Sequence, residues 1–289
     1  MTKTDRLEGI PISEVSRILG VPVPTIRSWE RRYGLPGPPR TAGAHRRYTR
    51  AEAALLRTVR DEIAAGRPAR LAAARALKFS SGDNARRPYV EAFLEAAMES
   101  DPASMRRTLE RARTRLGLER AIEAVVFPAL REVGDRWASG RCDVGHEHLA
   151  SGEVRKWFST QPLPRPTGRT VVLACGPADI HSIGLEAFGL ALAKRGWRAL
   201  VLGPMTPARA LRRAAEDSGA AAVVLTSHQS VFRRAALSSL RGVQPLRRTK
   251  LFYAGNAFST PASRKSAPGT YLGEDFIAAI GEFESSVRA

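Results

Sequence analysis

The sequence predicts a multidomain α and α/β protein, and three patterns along the chain lead to this prediction. Apolar residues recur at helical spacing as far as Phe158. The proline-rich stretch Gln161–Gly168 then indicates a stiff, extended linker. Beyond it, short apolar runs alternate with amphipathic helical segments, which is typical of a doubly wound parallel sheet. A chain of 289 residues can bury several small cores, and the predicted domains are 1–79, 85–160 and 168–289.

The net charge, the apolar runs and the cysteine count indicate which partners and which cellular compartment to expect. A net charge of +18 favours binding to a polyanion such as nucleic acid, although a genome that favours Arg and Ala codons would also produce it. Met1–Arg6 contains no apolar signal region, and no apolar run is long enough to cross a bilayer. Cys142 and Cys175 are too few for a disulfide framework. We therefore expect a cytoplasmic protein with no membrane partner.

Two short helices are predicted at the N-terminus, joined by a tight turn. Ile12, Val15, Ile18 and Leu19 form an apolar face that ends at Gly20, and a second helix begins near Pro24. Two such helices form a helix-turn-helix, whose second helix enters the DNA major groove. The candidate DNA-binding residues of this helix are Thr25, Arg27, Arg31, Arg32 and Tyr33.

A β-wing is predicted after Gly43, where His45, Arg46 and Arg47 would reach the phosphate backbone. The stretch Ser80–Asn84 is predicted to be a linker. From Pro88 to Phe158 the periodicity predicts a four-helix bundle, in which Asp101 and Pro102 begin a helix.

The predicted strands of the C-terminal sheet are Val171–Cys175, Ala199–Leu202, Ala222–Thr226 and Leu251–Ala254. Ligands of such sheets bind outside the carboxyl ends of the strands, and His181 follows the first strand there. Asp179 could orient the imidazole of His181 for metal binding, and Gly184 leaves space for a bulky group. The chain lacks a Gly-x-Gly-x-x-Gly after a strand, which disfavours NAD or FAD. A solvated surface histidine is the alternative.

The run Thr25–Leu35, which contains Trp-Glu-Arg-Arg-Tyr-Gly-Leu, together with His45–Tyr48, resembles the MerR family of transcriptional regulators. The resemblance implies a winged helix-turn-helix in residues 1–79 and a dimer on a two-fold related, double-stranded DNA operator. Gly66 and Pro68 interrupt the region where many family members have a coiled-coil helix. Self-association is therefore expected from the C-terminal half.

The Asp179-x-His181-x-x-Gly184 motif resembles the Rossmann-like cobalamin-binding module shared with methionine synthase and the B12 mutases. The resemblance implies that His181 is the lower axial cobalt ligand. It also implies that Thr226, Ser227 and Gly255 bind the cofactor, with Ala254 in the place of a family glycine.

Trp137, followed by Val144, Glu147 and His148, resembles the motif that caps the adenosyl group in CarH/LitR-type light-sensing regulators. Those regulators have a histidine where this chain has Ala138, so the sequence leaves a light response open. Trp137 in a plain core, and a zinc site at Cys142, His146 and His148, are the alternatives; the spacing disfavours zinc.

The resemblances together imply a non-enzymatic repressor that binds adenosylcobalamin and whose cofactor-bound dimer or tetramer binds an operator. Two other functions stay open. One is a MerR-type regulator that has lost light sensing or senses another ligand. The other is a corrinoid carrier protein for methyl transfer.

Overall fold

The computed structural model describes residues 9–35, 47–64, 66–81, 83–166 and 168–288. The chain divides into two compact units, 1–84 and 85–289. The three domain boundaries drawn from the sequence stay a prediction.

Unit 1 is built on the predicted helix-turn-helix. Helix α1 (Ile12–Leu19) ends at Gly20, whose φ of 64° is left-handed and suits glycine. Helix α2 (Val23–Tyr33) begins after Pro22 without a side-chain cap. Strand β1 (Ile10–Pro11) pairs antiparallel with β2 (Arg47–Tyr48). Helices α3 (Arg50–Ala64) and α4 (Ala69–Ser81) follow.

One core holds unit 1 together. Ile26 and Trp29 of α2 pack into it with Tyr48, which is fully buried. The hydroxyl of Tyr48 donates a hydrogen bond to the carboxylate of Glu30, which is also buried. Since the apolar residues of α2 and Glu30 are used for packing, Arg27, Arg31 and Arg32 are left on the outer face.

The linker predicted at Ser80–Asn84 is wrong in its extent. Helix α4 continues to Ser81, and α5 (Asp83–Met98) already begins at Asp83. Ser, Asp and Asn occur at helix ends as often as in loops, because their side chains bind free backbone groups in both settings. Composition alone therefore could not separate two adjoining helix ends from a linker.

The four-helix bundle is confirmed in residues 83–159. Helix α5 is followed by α6 (Pro102–Leu116), and Asp101 caps α6 by accepting from the backbone N–H of Ser104 at 3.0 Å. The third helix comprises α7 (Leu118–Ala121), a π-helical turn (Ile122–Val126) and α8 (Phe127–Ala138). The fourth is α9 (Val144–Ser159).

The parallel sheet is also confirmed. Its order among the described strands is β4-β3-β5-β6-β7. The strands are β3 (Thr170–Cys175), β4 (Arg198–Gly203), β5 (Ala222–Thr226), β6 (Lys250–Ala254) and β7 (Thr270–Tyr271). The helices between and after them are α10 (Ile183–Lys194), α11 (Ala208–Asp217), α12 (Arg233–Val243), α13 (Pro261–Arg264) and α14 (Phe276–Arg288).

The bundle packs on the side of the sheet that carries α10 and α14. Residues of the bundle, of these two helices and of β3 share one continuous core. Phe127 of α8 meets Phe276 of α14 edge to face, with ring centroids 5.4 Å apart. Arg195, just after α10, forms ion pairs with Glu119 of α7 and Glu284 of α14. This packing brings the bundle next to the helix that follows His181.

Candidate cobalamin site and DNA-binding surface

A buried carboxylate lies at the carboxyl edge of the sheet and binds two histidines. Asp179 is fully buried. Its Oδ1 accepts from the backbone N–H of His181 at 3.0 Å and lies 2.9 Å from Nδ1 of the same residue. Its Oδ2 accepts from the backbone N–H of His228 at 2.6 Å and lies 3.2 Å from Nδ1 of that ring. One carboxylate therefore positions two loops and two imidazoles.

These contacts favour the ionised form of Asp179. Burial works to raise the pKa of Asp179, but the hydrogen bonds from His181 and His228 outweigh it and hold that pKa well below its usual range. An ionised carboxylate only accepts, so in the neutral form of each imidazole the proton lies on Nδ1 and the lone pair on Nε2. The same hydrogen bond raises the pKa of His181 against the opposing effect of burial. The predicted contact between Asp179 and His181 is thus present, and it leaves Nε2 of the neutral His181 ring available to a metal ion.

His228 is the residue that sequence reasoning missed. It follows β5, and Thr226 at the end of β5 is in register with Cys175 at the end of β3. The loops after these neighbouring strands carry the two histidines, whose ring centroids lie 5.4 Å apart. A histidine just after the strand next to β3 was the available signal, because carboxyl ends of parallel strands share one edge.

The surroundings of His181 fit a large, flat ligand with polar edges. Ile180, Met205 and Val231 are apolar but 62%, 56% and 72% exposed. Met205 is close because its N–H donates to the Asp179 carbonyl. Gly184 lies in the first turn of α10, and a Cβ built there would meet no atom within 4 Å. The hydroxyl of Ser227 is buried without a hydrogen-bond partner among the described residues. Apolar cover, open space and an unsatisfied hydroxyl are what a corrinoid needs here.

Thr226 and Gly255 have structural roles in the same loops. The Thr226 hydroxyl is buried and lies 3.5 Å from the Cys175 sulfur. Burial, as the largest effect, raises the pKa of the Cys175 thiol to about 11. Gly255 has a φ of 101°, and a Cβ there would lie 2.2 Å from the Ser227 carbonyl oxygen. Glycine is therefore required by the close approach of the protein's own backbone.

Helix α9 of the bundle is anchored beside His181. Arg155 donates to Glu186 of α10 at 3.1 Å and to the Ser182 hydroxyl at 3.3 Å. His148 lies two helical turns earlier on the same face, about 10 Å along the axis. Gly152 lies between them, and a Cβ there would meet no atom within 4 Å. The face of α9 that touches the start of α10 thus also carries part of the predicted cap.

The predicted cap residues lie at the adjoining ends of α8 and α9. Trp137 is 51% exposed and Val144 45% exposed, which is unusual for large apolar side chains. The imidazole Nε2 of His148 lies 3.7 Å from the Glu147 carboxylate. The alternative of Trp137 in a plain core is not supported, because half of its surface reaches solvent.

The zinc alternative at Cys142, His146 and His148 is not supported either. The His146 ring instead lies 2.9 Å from Asp143, which caps α9, and the Cys142 sulfur lies 3.8 Å from the Val133 carbonyl. Among the described residues, Asp179, His181 and His228 are the group whose potential ligand atoms come together.

The candidate DNA-binding residues differ in how far their side chains are exposed to solvent. Arg27, Arg31 and Arg32 of α2 are exposed, while Thr25 and Tyr33 are half-buried. Arg47 is exposed, and its Nη1 donates to the Gly9 carbonyl at 3.0 Å. His45 and Arg46 lie outside the described residues. Helix α2 therefore presents a positively charged outer face, and the binding of DNA by these residues stays a prediction.

Comparison with known proteins identifies two family domains in this chain. Residues 10–68 match the MerR HTH family of regulatory proteins, and residues 89–160 match the B12 binding domain. The HTH-type transcriptional repressor CarA of Myxococcus xanthus is 34% identical over 214 residues, which are 70% of this chain and 71% of CarA. CarH of the same organism, also an HTH-type transcriptional repressor, is 34% identical over 221 residues, covering 70% of this chain and 73% of CarH.

A solved structure, the monomethylamine corrinoid protein of Methanosarcina barkeri, has a similar fold. Its TM-score is 0.55 at 12% identity, over 69% of this chain and 99% of that protein. A helix-turn-helix unit joined to a helical bundle and this sheet defines a DNA-binding regulator with a B12-binding module. The chain belongs to the MerR family of transcriptional regulators, among the members that carry a B12-binding domain.

Among the described residues, no helix is both long and apolar enough to cross a membrane.

Proposed function

We propose that this regulator is a repressor that binds adenosylcobalamin and, in the cofactor-bound state, assembles into a dimer or tetramer on a double-stranded operator. The observation that carries the proposal is the orientation of His181 by Asp179, directly beside the bundle helix α9. The names of the relatives CarA and CarH support repression. We expect no enzymatic turnover.

The proposal gives each residue of the site a role. His181 would hold the cobalt through Nε2, and Asp179 fixes the tautomer and orientation of its ring. Gly184 leaves space for the ligand, while Thr226, Ser227 and Gly255 line the loops beside it, and the Ser227 hydroxyl gains a partner. On the bundle, Trp137 and Val144 would offer apolar area to the adenosyl group, and Glu147 and His148 would offer hydrogen bonds to its ribose hydroxyls. When bound, adenosylcobalamin supplies a cobalt–carbon bond whose cleavage removes the adenosyl group.

The proposed response to the cofactor depends on the hydrogen bonds that anchor α9 to the start of α10. Arg155 ties α9 to Ser182 and Glu186, so a group held under Trp137 and His148 stabilises one position of the bundle over the sheet. Without that group, the contact at Trp137 and His148 would be absent and the bundle would be free to shift. An assembly that displays several helix-turn-helix units binds DNA more tightly through effective concentration. The coupling is reciprocal, so operator DNA favours the cofactor-bound form.

Light is one way to remove the adenosyl group, and Ala138 bears on it. A methyl group cannot coordinate cobalt, so the position that holds a histidine in the light-sensing regulators offers no ligand here. The exposed imidazole of His148 is a neighbouring donor in the cap.

The test is an absorption spectrum and size-exclusion profile of the full chain mixed with adenosylcobalamin in the dark, before and after green light. We expect a coloured, larger assembly that binds duplexes selected from a random library. His181→Ala should lose or weaken the corrinoid, whereas His146→Gln, a histidine outside the site, should retain it. Trp137→Ala should weaken adenosylcobalamin more than hydroxocobalamin.

Two outcomes overturn different parts of the proposal. A wild-type chain that elutes without colour would refute cobalamin binding at His181. Colour with no change in size or DNA binding on illumination would refute light sensing and leave cobalamin-dependent regulation in place. Methyl transfer from a methyl donor to the bound corrinoid would instead identify a corrinoid carrier.

A further inference from the structure

Two imidazoles, those of His181 and His228, contact the Asp179 carboxylate. The proposed cobalt site uses only His181, so it gives His228 no role. We propose that the cobalamin-free chain binds a divalent transition-metal ion of the zinc class between Asp179, His181 and His228. The potential ligand atoms of these three residues all lie within 4.8 Å of one another.

The distances suit such an ion. Nδ1 of His181 lies 2.9 Å from one Asp179 oxygen, and Nδ1 of His228 lies 3.2 Å from the other. In a tetrahedral zinc site with ligand bonds of about 2.0–2.2 Å, neighbouring ligand atoms are about 3.3 Å apart. An ion that replaces the two Nδ1 protons would therefore need only small movements of the rings.

Backbone hydrogen bonds already fix the Asp179 carboxylate in a position suited to metal binding. Its two backbone donors, from His181 and His228, fix its plane and leave the remaining lone pair of each oxygen directed to the rings. The His181 and His228 side chains are 49% and 29% exposed, so both rings border solvent. Two imidazoles and one carboxylate are an established zinc donor set, and they leave a fourth position for water.

The ion and the corrinoid would compete, and this part rests on the proposed function. With a metal on Nδ1, the proton of the His181 ring moves to Nε2. A protonated Nε2 has no lone pair for cobalt. Zinc should therefore slow or weaken cobalamin uptake.

The chain contains a matched control for the metal site. The His146 ring lies 2.9 Å from Asp143, and its backbone N–H donates to the same carboxylate oxygen at 3.1 Å. This pair repeats the arrangement of His181 on Asp179 but has one imidazole. Variants of His146 thus report what a single His–Asp pair contributes.

The experiment titrates zinc into the full-length, cobalamin-free, chelator-treated chain by isothermal calorimetry. We expect one zinc per chain, an affinity lowered by about tenfold or more in His228→Gln and in His181→Gln, and no change in His146→Gln. Thermal melting confirms that each variant is folded. Wild-type affinity in folded His228→Gln, or no stoichiometric zinc in the wild type, would overturn the metal site.

Hydroxocobalamin uptake, with and without saturating zinc, tests the competition. The wild type should take up less with zinc present, and His228→Gln should show no zinc effect. Uptake by the wild type that ignores zinc would overturn the competition. Since the calorimetry contains no corrinoid, a chain that binds zinc but no cobalamin would refute the proposed function alone.

Discussion

Asp179→Asn is the substitution that probes the site most directly. The amide keeps the shape of the carboxylate but has one accepting oxygen instead of two. Asp179 accepts two backbone and two ring N–H groups. The substitution therefore removes the acceptor from one backbone N–H and one ring N–H, and points an NH₂ group at both.

The magnitude follows from those two lost bonds. A hydrogen bond to a charged group contributes about 1.5–3 kcal/mol. Both lost hydrogen bonds involve the fully buried Asp179. The His181 ring is half exposed, so its N–H can bond to water instead, which reduces the loss. We therefore expect the unfolding free energy to fall by about 3 kcal/mol. Loss of the group that orients a metal-binding histidine should also weaken cobalamin by about 10–100-fold.

Urea unfolding and cobalamin titration measure the two effects. The control is Asp143→Asn, because Asp143 accepts the same pair of donors from His146 in an exposed position. This control should leave stability and cofactor affinity close to the wild type. If Asp179→Asn unfolds at the wild-type urea concentration and binds cobalamin equally well, the assignment of Asp179 as the positioning group is refuted.

Three further predictions concern other parts of the chain. Gly255→Ala should destabilise the fold by about 3 kcal/mol or more in chemical unfolding, because its φ is 101° and the new Cβ meets the Ser227 carbonyl; normal stability would show that the loop can move. Burial, followed by the charge of Asp275, raises the pKa of Glu123, so stability should fall as pH rises from the ordinary glutamate value through the raised one. Glu123→Gln should abolish that decline, and parallel stability curves would contradict the assignment. Arg27→Ala should weaken operator binding and, if the guanidinium binds phosphate, lower the salt slope by about 0.9; unchanged affinity would remove Arg27 from the DNA-binding face.

Several elements could be predicted because their signals are local. Gly20 ends α1 in the left-handed conformation, and Asp101 caps α6. The four apolar runs of the sheet are all strands. Strand β7 was missed because Thr270–Tyr271 is too short to show a pattern.

The sequence by itself determined that His181 follows a buried strand, that Asp179 precedes it by two residues, and that a helix-turn-helix begins the chain. These features depend on neighbours along the backbone, whose spacing is read directly. Only the tertiary structure decided that His228, 49 residues from Asp179, shares its carboxylate. It also decided that α9 is anchored beside His181 through Arg155. Such contacts depend on strand order and on how the bundle packs over the sheet, which the spacing of residues along one chain does not encode.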